Sequence, residues 1–150
     1  MTKILPKEYN FLVPSKIRSL KRLGINEDGG YIVNSNLLPS TDYLVSFGMA
    51  NEFSFEEDFL KLKKDNKLII FDFSVNHKFY ILDIFKNLRR IFKLKRNLKD
   101  LIRCCKDYYN FIIFVKKEQV SFFSKKISNK VNSKKDITIS DIFSNFVDKE

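Results

Sequence analysis

The sequence predicts an α/β fold: an incomplete, mostly parallel sheet with flanking helices and a long basic helical segment. Three observations predict it. Two short β-prone apolar runs, Tyr43–Phe47 and Lys67–Phe73, bracket a glycine-containing loop and a helical stretch, which is the order of a βαβ unit. From Lys78 onward the apolar residues switch to steps of three and four, the helical period. All four glycines and all three prolines lie before residue 49, so turns crowd the first third and long regular elements fill the rest.

The 150 residues suit one domain in three parts. Residues 1–40 are a turn-rich lead-in. Its basic segment Lys16–Arg22 reads as a short helix or an extended stretch. Asp28-Gly29-Gly30 then supplies the positive φ angles of a tight turn before the β-prone Tyr31-Ile32-Val33. Residues 41–76 form the βαβ unit. After the first strand and Gly48, Ser54 reads as a helix cap, with Glu56 and Glu57 in the first turn where carboxylates favour the helix dipole. That helix runs to about Lys64, and Asp65-Asn66 turns the chain into the second strand. Two strands joined through a helix lie parallel with a right-handed crossover.

Residues 77–150 form a basic helical region with a third strand. Ile81, Ile84, Leu88, Ile91, Leu94, Leu98, Leu101, Ile102 and Cys105 recur at helical spacing. Lys86, Arg89, Arg90, Lys93, Arg96, Lys99, Arg103 and Lys106 lie largely opposite, and a break is expected near Asn97. Phe111–Val115 reads as the third strand and Lys125–Lys135 as a surface loop or frayed helix. Ile137–Phe143 begins a further element, capped by Ser140 or Asp141.

Composition excludes several classes. Hydrophobic residues at 44% and aromatics at 15% are too many for a disordered chain. The longest apolar run, Phe111–Val115, is far short of the ~20 residues of a membrane span. The first residues lack the apolar stretch of a signal peptide, so a soluble cytoplasmic protein is expected. The net charge is +10, and residues 76–150, with 18 basic and 8 acidic side chains, carry all of it. Lysine supplies 22 of the 28 basic residues, and A/T-rich codon usage accounts for part of that excess.

In open parallel sheets, ligands bind beyond the carboxyl ends of the strands. The first such end here is Phe47-Gly48-Met49-Ala50-Asn51-Glu52, where a residue without Cβ lets the backbone bend sharply beside a ligand. Asp72, followed by Phe73, ends the second strand 24 residues after Gly48, close to the spacing at which an acidic side chain accepts hydrogen bonds from ribose hydroxyls. The loop has one glycine and no Walker lysine, and Glu52 would repel a pyrophosphate. An acid there suits a cofactor with a cationic centre, such as S-adenosylmethionine. The plain alternative is that Gly48 only ends a strand and Asp72 is a solvated turn residue.

Taken together, Arg22-Leu23-Gly24, Asp28-Gly29-Gly30-Tyr31, Ser46-Phe47-Gly48-Met49-Ala50-Asn51-Glu52-Phe53-Ser54-Phe55-Glu56 and Phe71-Asp72 resemble the N-terminal half of FkbM-like S-adenosylmethionine-dependent methyltransferases. The likeness covers roughly residues 20–76, with a weaker echo at Ile137–Phe143. It implies a Rossmann-like methyltransferase fold, S-adenosyl-L-methionine as cofactor, contacts from the Gly48 loop and Asp72, and O-methylation of a sugar, glycan or related metabolite. Ala50 stands where the family loop has a second glycine. The family's later Asp-Ile-Glu-Gly-like strand has no counterpart before Glu150, so a truncated domain is expected, with its catalytic residues unassigned.

Other residues weigh less. His77, the sole histidine, either lines the site beyond Asp72 or sits on a surface loop. Adjacent Cys104 and Cys105 suit a reduced protein rather than a disulfide, and no metal set is expected. Asp28-Gly29-Gly30 is read as a turn, with closing over the cofactor as the alternative; Glu56 gains weight from the family's Phe-Glu. A rival reading is a non-catalytic basic module. It would touch anionic membrane through Lys86, Arg89, Arg90, Lys93 and Arg96, or nucleic acid, for which stacking aromatics are few; the plain alternative is a solvated basic face on a helix whose apolar side covers the sheet.

Overall fold

The structure is a computed structural model and describes residues 7–8, 18–93 and 97–147. The chain passes through β1 (Leu20–Leu23), β2 (Tyr31–Asn34), β3 (Tyr43–Phe47), α1 (Ser54–Leu62), β4 (Lys67–Phe71), α2 (His77–Phe92), α3 (Leu98–Val115) and β5 (Val120–Phe123). Two-residue strands β6 (Lys126–Ile127) and β7 (Asp136–Ile137) follow. A short helix α4 (Ile139–Ile142) then continues into a π-helical turn over Phe143–Val147.

The expected βαβ unit is present. β3 and β4 pair in parallel from Tyr43 opposite Lys67 to Phe47 opposite Phe71, and β5 adds in parallel on the far side of β4. The strand order is β3-β4-β5. Because the chain steps one way across the sheet, crossovers of one hand put their helices on one face. Accordingly Phe59 and Leu60 of α1 meet Phe111 and Phe114 of α3 in a single core over Leu68 and Ile70. The alternate β4 residues, Ile69 and Phe71, face the other side and pack with Ile137 and Ile142. A central parallel strand covered on both faces has to be apolar throughout, which is why Leu68-Ile69-Ile70-Phe71 shows no polar alternation.

Several boundaries differ from expectation. Phe111–Val115 is the last turn of α3, not a strand: Phe111 and Phe114, three apart, are both buried on the sheet-facing side, while Ile113 is exposed. A run of five apolar residues fits a buried strand or a helix end equally, and here the three-residue step prevails. The third strand is instead β5, which follows a polar turn. The expected break near Asn97 is found, with α2 ending at Phe92 and the Asn97 side chain accepting from the Lys99 amide at the start of α3. Ser54 is the first helical residue of α1 rather than its cap; its amide is held by Glu52 Oε1 at 2.8 Å. α1 stops at Leu62, short of Lys64, and β4 stops at Phe71, short of Phe73.

At the last helix, Thr138 rather than Ser140 or Asp141 is the cap, and Asp141 completes a reciprocal capping box with it. Within Lys16–Arg22, residues 18–22 are described and contain no helix; Leu20 opens β1, antiparallel to β2. Lys125–Lys135 is largely loop, apart from β6. Leu94 and Arg96, assigned to the basic helix, lie outside the described residues.

Candidate functional site

A cleft of about 510 Å³ begins at the carboxyl end of β3 and runs down its outer edge. Its floor is Leu44 to Ala50, one wall is Glu52, Phe55 and Glu56 of the α1 entry, and the other is Asp28, Gly29 and Tyr31. The walls are tied together. Gly24 N–H donates to Asp58 Oδ2 at 2.9 Å, Ile25 N–H donates to Ser54 Oγ at 3.0 Å, and the Tyr31 and Phe55 rings meet edge-on at 5.0 Å. Arg22 closes the turn by donating to the Gly30 carbonyl at 3.0 Å. Separate sequence motifs around Arg22, Asp28, Gly48 and Phe55 therefore converge on one place.

Glycine is needed at Gly48 because φ is 76°; a Cβ there would meet no protein atom within 4 Å, since the residue faces the open cleft. Gly30 is needed for the opposite reason: a Cβ would collide with the Ile25 carbonyl. Ala50 also adopts a left-handed φ of 53°, a conformation glycine reaches without strain.

The electrostatics of the cleft oppose those of the whole molecule. Asp28, Glu52 and Glu56 line it, and among the described residues no lysine, arginine or histidine does, although the chain carries 28 basic residues. Glu56 is the innermost. It is buried, accepts a 2.6 Å hydrogen bond from Ser46 Oγ, and its carboxyl is pushed above the ordinary range. Burial is the main cause and the neighbouring Glu52 adds to it, outweighing the Ser46 hydrogen bond, which acts the other way.

Asp72 requires a correction. Expected either to bind ribose or to lie solvated in a turn, it is only 3% exposed and does not line the cleft. Its Oδ1 accepts from the amides of Ser74 and Val75 and from Ser74 Oγ, at 2.7, 3.1 and 2.6 Å, and its Oδ2 accepts from the Ala50 amide at 2.9 Å. The carboxylate thus bolts the loop after β4 to the loop after β3. It shapes the floor of the cleft from behind.

Of the other expected residues, Phe47, Gly48, Met49, Ala50, Glu52, Asp28, Gly29, Tyr31 and Glu56 line the cleft. Asn51 borders a separate depression with Asp107 and Asn110. Phe73 is exposed away from the cleft, and Gly30 supports the turn without lining it. His77 is not in a loop. It is the first residue of α2, where its Nδ1 lies 3.1 Å from the Tyr108 hydroxyl, beside a different hollow. Sequence reasoning missed Leu44, Val45, Ser46 and Phe55 as lining residues. The signal for Ser46 was available: it is the one polar residue in the otherwise apolar strand Tyr43–Phe47.

The cysteines form no disulfide; Cys105 is exposed, and Cys104 sits between α2 and α3, where its Sγ donates to Asp83 Oδ2 at 3.1 Å. Partial burial and the Asp83 carboxylate push the Cys104 thiol up to about 11, so it stays protonated at neutral pH. Among the described residues, no group of three or more potential metal ligands occurs. Comparison with protein-family models, with curated proteins and with solved structures finds no match to this chain.

Proposed function

We propose that this chain carries the cofactor-binding unit of a Rossmann-like, S-adenosylmethionine-dependent methyltransferase, acting on an oxygen of a sugar or related metabolite. The observation that carries the reading is the set of carboxylates, Asp28, Glu52 and Glu56, in a cleft at the carboxyl end of a parallel strand. Such a set attracts a sulfonium or ammonium group and repels phosphates. The strand order β3-β4-β5, with helices on one face and α4 on the other, suits one half of a doubly wound sheet.

The residues present fit the cofactor in part. The Gly48–Ala50 backbone and Glu52 would hold its charged amino-acid end, and Phe47, Tyr31 and Phe55 offer apolar and aromatic surface. Asp72 is already saturated and does not fit as the ribose acceptor. When bound, S-adenosylmethionine supplies an electrophilic methyl group on a positively charged sulfur. The chain's share is to bind and orient, which is where much of the acceleration of an in-line displacement originates.

Ligand-dependent thermal unfolding tests this. A ligand at a hundredfold its Kd adds about 2.7 kcal/mol, which for a chain of this size raises Tm by roughly 5–10 °C. S-adenosylmethionine and S-adenosylhomocysteine are expected to shift Tm, whereas ATP and NAD leave it unchanged. A folded protein that neither adenosyl compound shifts, or that ATP or NAD shifts more, refutes the proposal.

A further inference from the structure

We infer that the outer face of α2 is a docking surface for an anionic lipid bilayer. α2 packs against α3 through Tyr80, Asn87 and Asp83, with Tyr80 stacked on Tyr108 and Asn87 and Asp83 bonded to Cys104. The residues about half a turn away, Leu82, Phe85 and Phe92, are therefore left without cover among the described residues. Phe85 is 63% exposed and Phe92 80%. Spacings of three and seven residues keep these three on one face of the helix. Lys78, Arg89 and Lys93 fall on that same face, and Lys86 borders it; all four are exposed, and none has an ion-pair partner among the described residues.

Charge complementarity selects the occupant. Residues 77–117 carry twelve basic and three acidic side chains, nearly the whole net charge of the protein. A second copy would bring the same excess against itself, so self-pairing through this face is disfavoured. Nucleic acid accounts for the charge and for the exposed rings of Phe85 and Phe92, but leaves the aliphatic Leu82 in the same strip without a role. An apolar strip rimmed by lysine and arginine matches the boundary between acyl chains and anionic headgroups. No described helix is long and apolar enough to cross a membrane. Phe92, at the end of α2, is the most exposed residue of the strip.

The protein lacks tryptophan, so Phe92→Trp introduces a single reporter at an exposed position. Vesicles of phosphatidylcholine with phosphatidylglycerol, compared with phosphatidylcholine alone, are the probe. The expected result is a blue-shifted tryptophan emission and co-flotation with the anionic vesicles only. Affinity should fall at least tenfold in Arg89→Glu/Lys93→Glu, and also at high salt. Phe85→Ser should weaken binding while leaving the circular dichroism unchanged, because the side chain is exposed. Three results overturn the inference: no flotation of the folded protein, equal binding to both vesicle types, or charge-reversed protein that binds like wild type. Tight binding to DNA or concentration-dependent dimerisation, lost in the same variants and without vesicle binding, also overturns it.

Discussion

Replacing Asp72 separates an anchoring role from a ligand-binding one. Asp72→Ala removes the acceptor of four hydrogen bonds, three from backbone amides and one from Ser74 Oγ. Hydrogen bonds to a charged group contribute about 1.5–3 kcal/mol each, and a buried donor left unpaired costs about 1–3 kcal/mol. The Val75 amide is buried and bears that cost, whereas the part-buried Ala50 and Ser74 amides regain water. Donors that regain water recover most of their bond energy, so the Val75 bond and its stranded amide set a loss of about 2.5–6 kcal/mol, with about 3–4 kcal/mol expected, in the upper range for a point substitution. Asp72→Asn keeps one acceptor oxygen and should lose about 1–2 kcal/mol. Urea unfolding followed by far-ultraviolet circular dichroism reads this directly. With a slope near 2 kcal/mol/M, the Asp72→Ala midpoint drops by about 1.5–2 M. A midpoint within ~0.3 M of wild type would refute the anchoring argument. Asp72→Asn with wild-type stability but no affinity for S-adenosylhomocysteine would restore the ribose role.

Three further outcomes follow from the geometry. The buried Tyr80 hydroxyl has no hydrogen-bond partner among the described residues, and burial pushes its pKa up to about 12; Tyr80→Phe should therefore match or exceed wild-type stability by up to ~1 kcal/mol in the same urea assay. Ala50→Gly relieves the left-handed φ and should add about 0.5–1 kcal/mol, read as a higher urea midpoint. Glu56 holds its proton more tightly folded than unfolded, so its contribution is full below the unfolded carboxylate pKa and is lost as pH rises through the raised folded value. Glu56→Gln, which can still accept from Ser46, should gain stability over wild type as pH rises across that window. A pH-independent difference between the two would contradict the assigned burial.

The βαβ unit was legible because its signals agreed: two apolar runs of strand length, a glycine between them, and acids at the helix start. The Gly48 loop and Asp28, Glu52 and Glu56 were legible for the same local reason. What failed depended on contacts distant in sequence. Whether Phe111–Val115 was strand or helix turned on how far the α3 face continued over the sheet. Asp72 looked like a ligand acceptor because spacing fixes its position at a strand end, but spacing says nothing of where its carboxylate points. Its partner, the Ala50 amide, lies on the other loop. Ser46 as the partner of Glu56 was likewise a pairing across a strand and a helix.

The central claim is that carboxylates at the end of β3 hold a cationic cofactor, and titration calorimetry with S-adenosylmethionine tests it most directly. Glu52→Gln keeps the acceptor for the Ser54 amide while removing the charge. The wild-type protein should bind S-adenosylmethionine more tightly than S-adenosylhomocysteine, and Glu52→Gln should weaken the former roughly tenfold with little effect on the latter. No heat from either compound with folded protein, or equal affinities that Glu52→Gln leaves unchanged, would contradict the account.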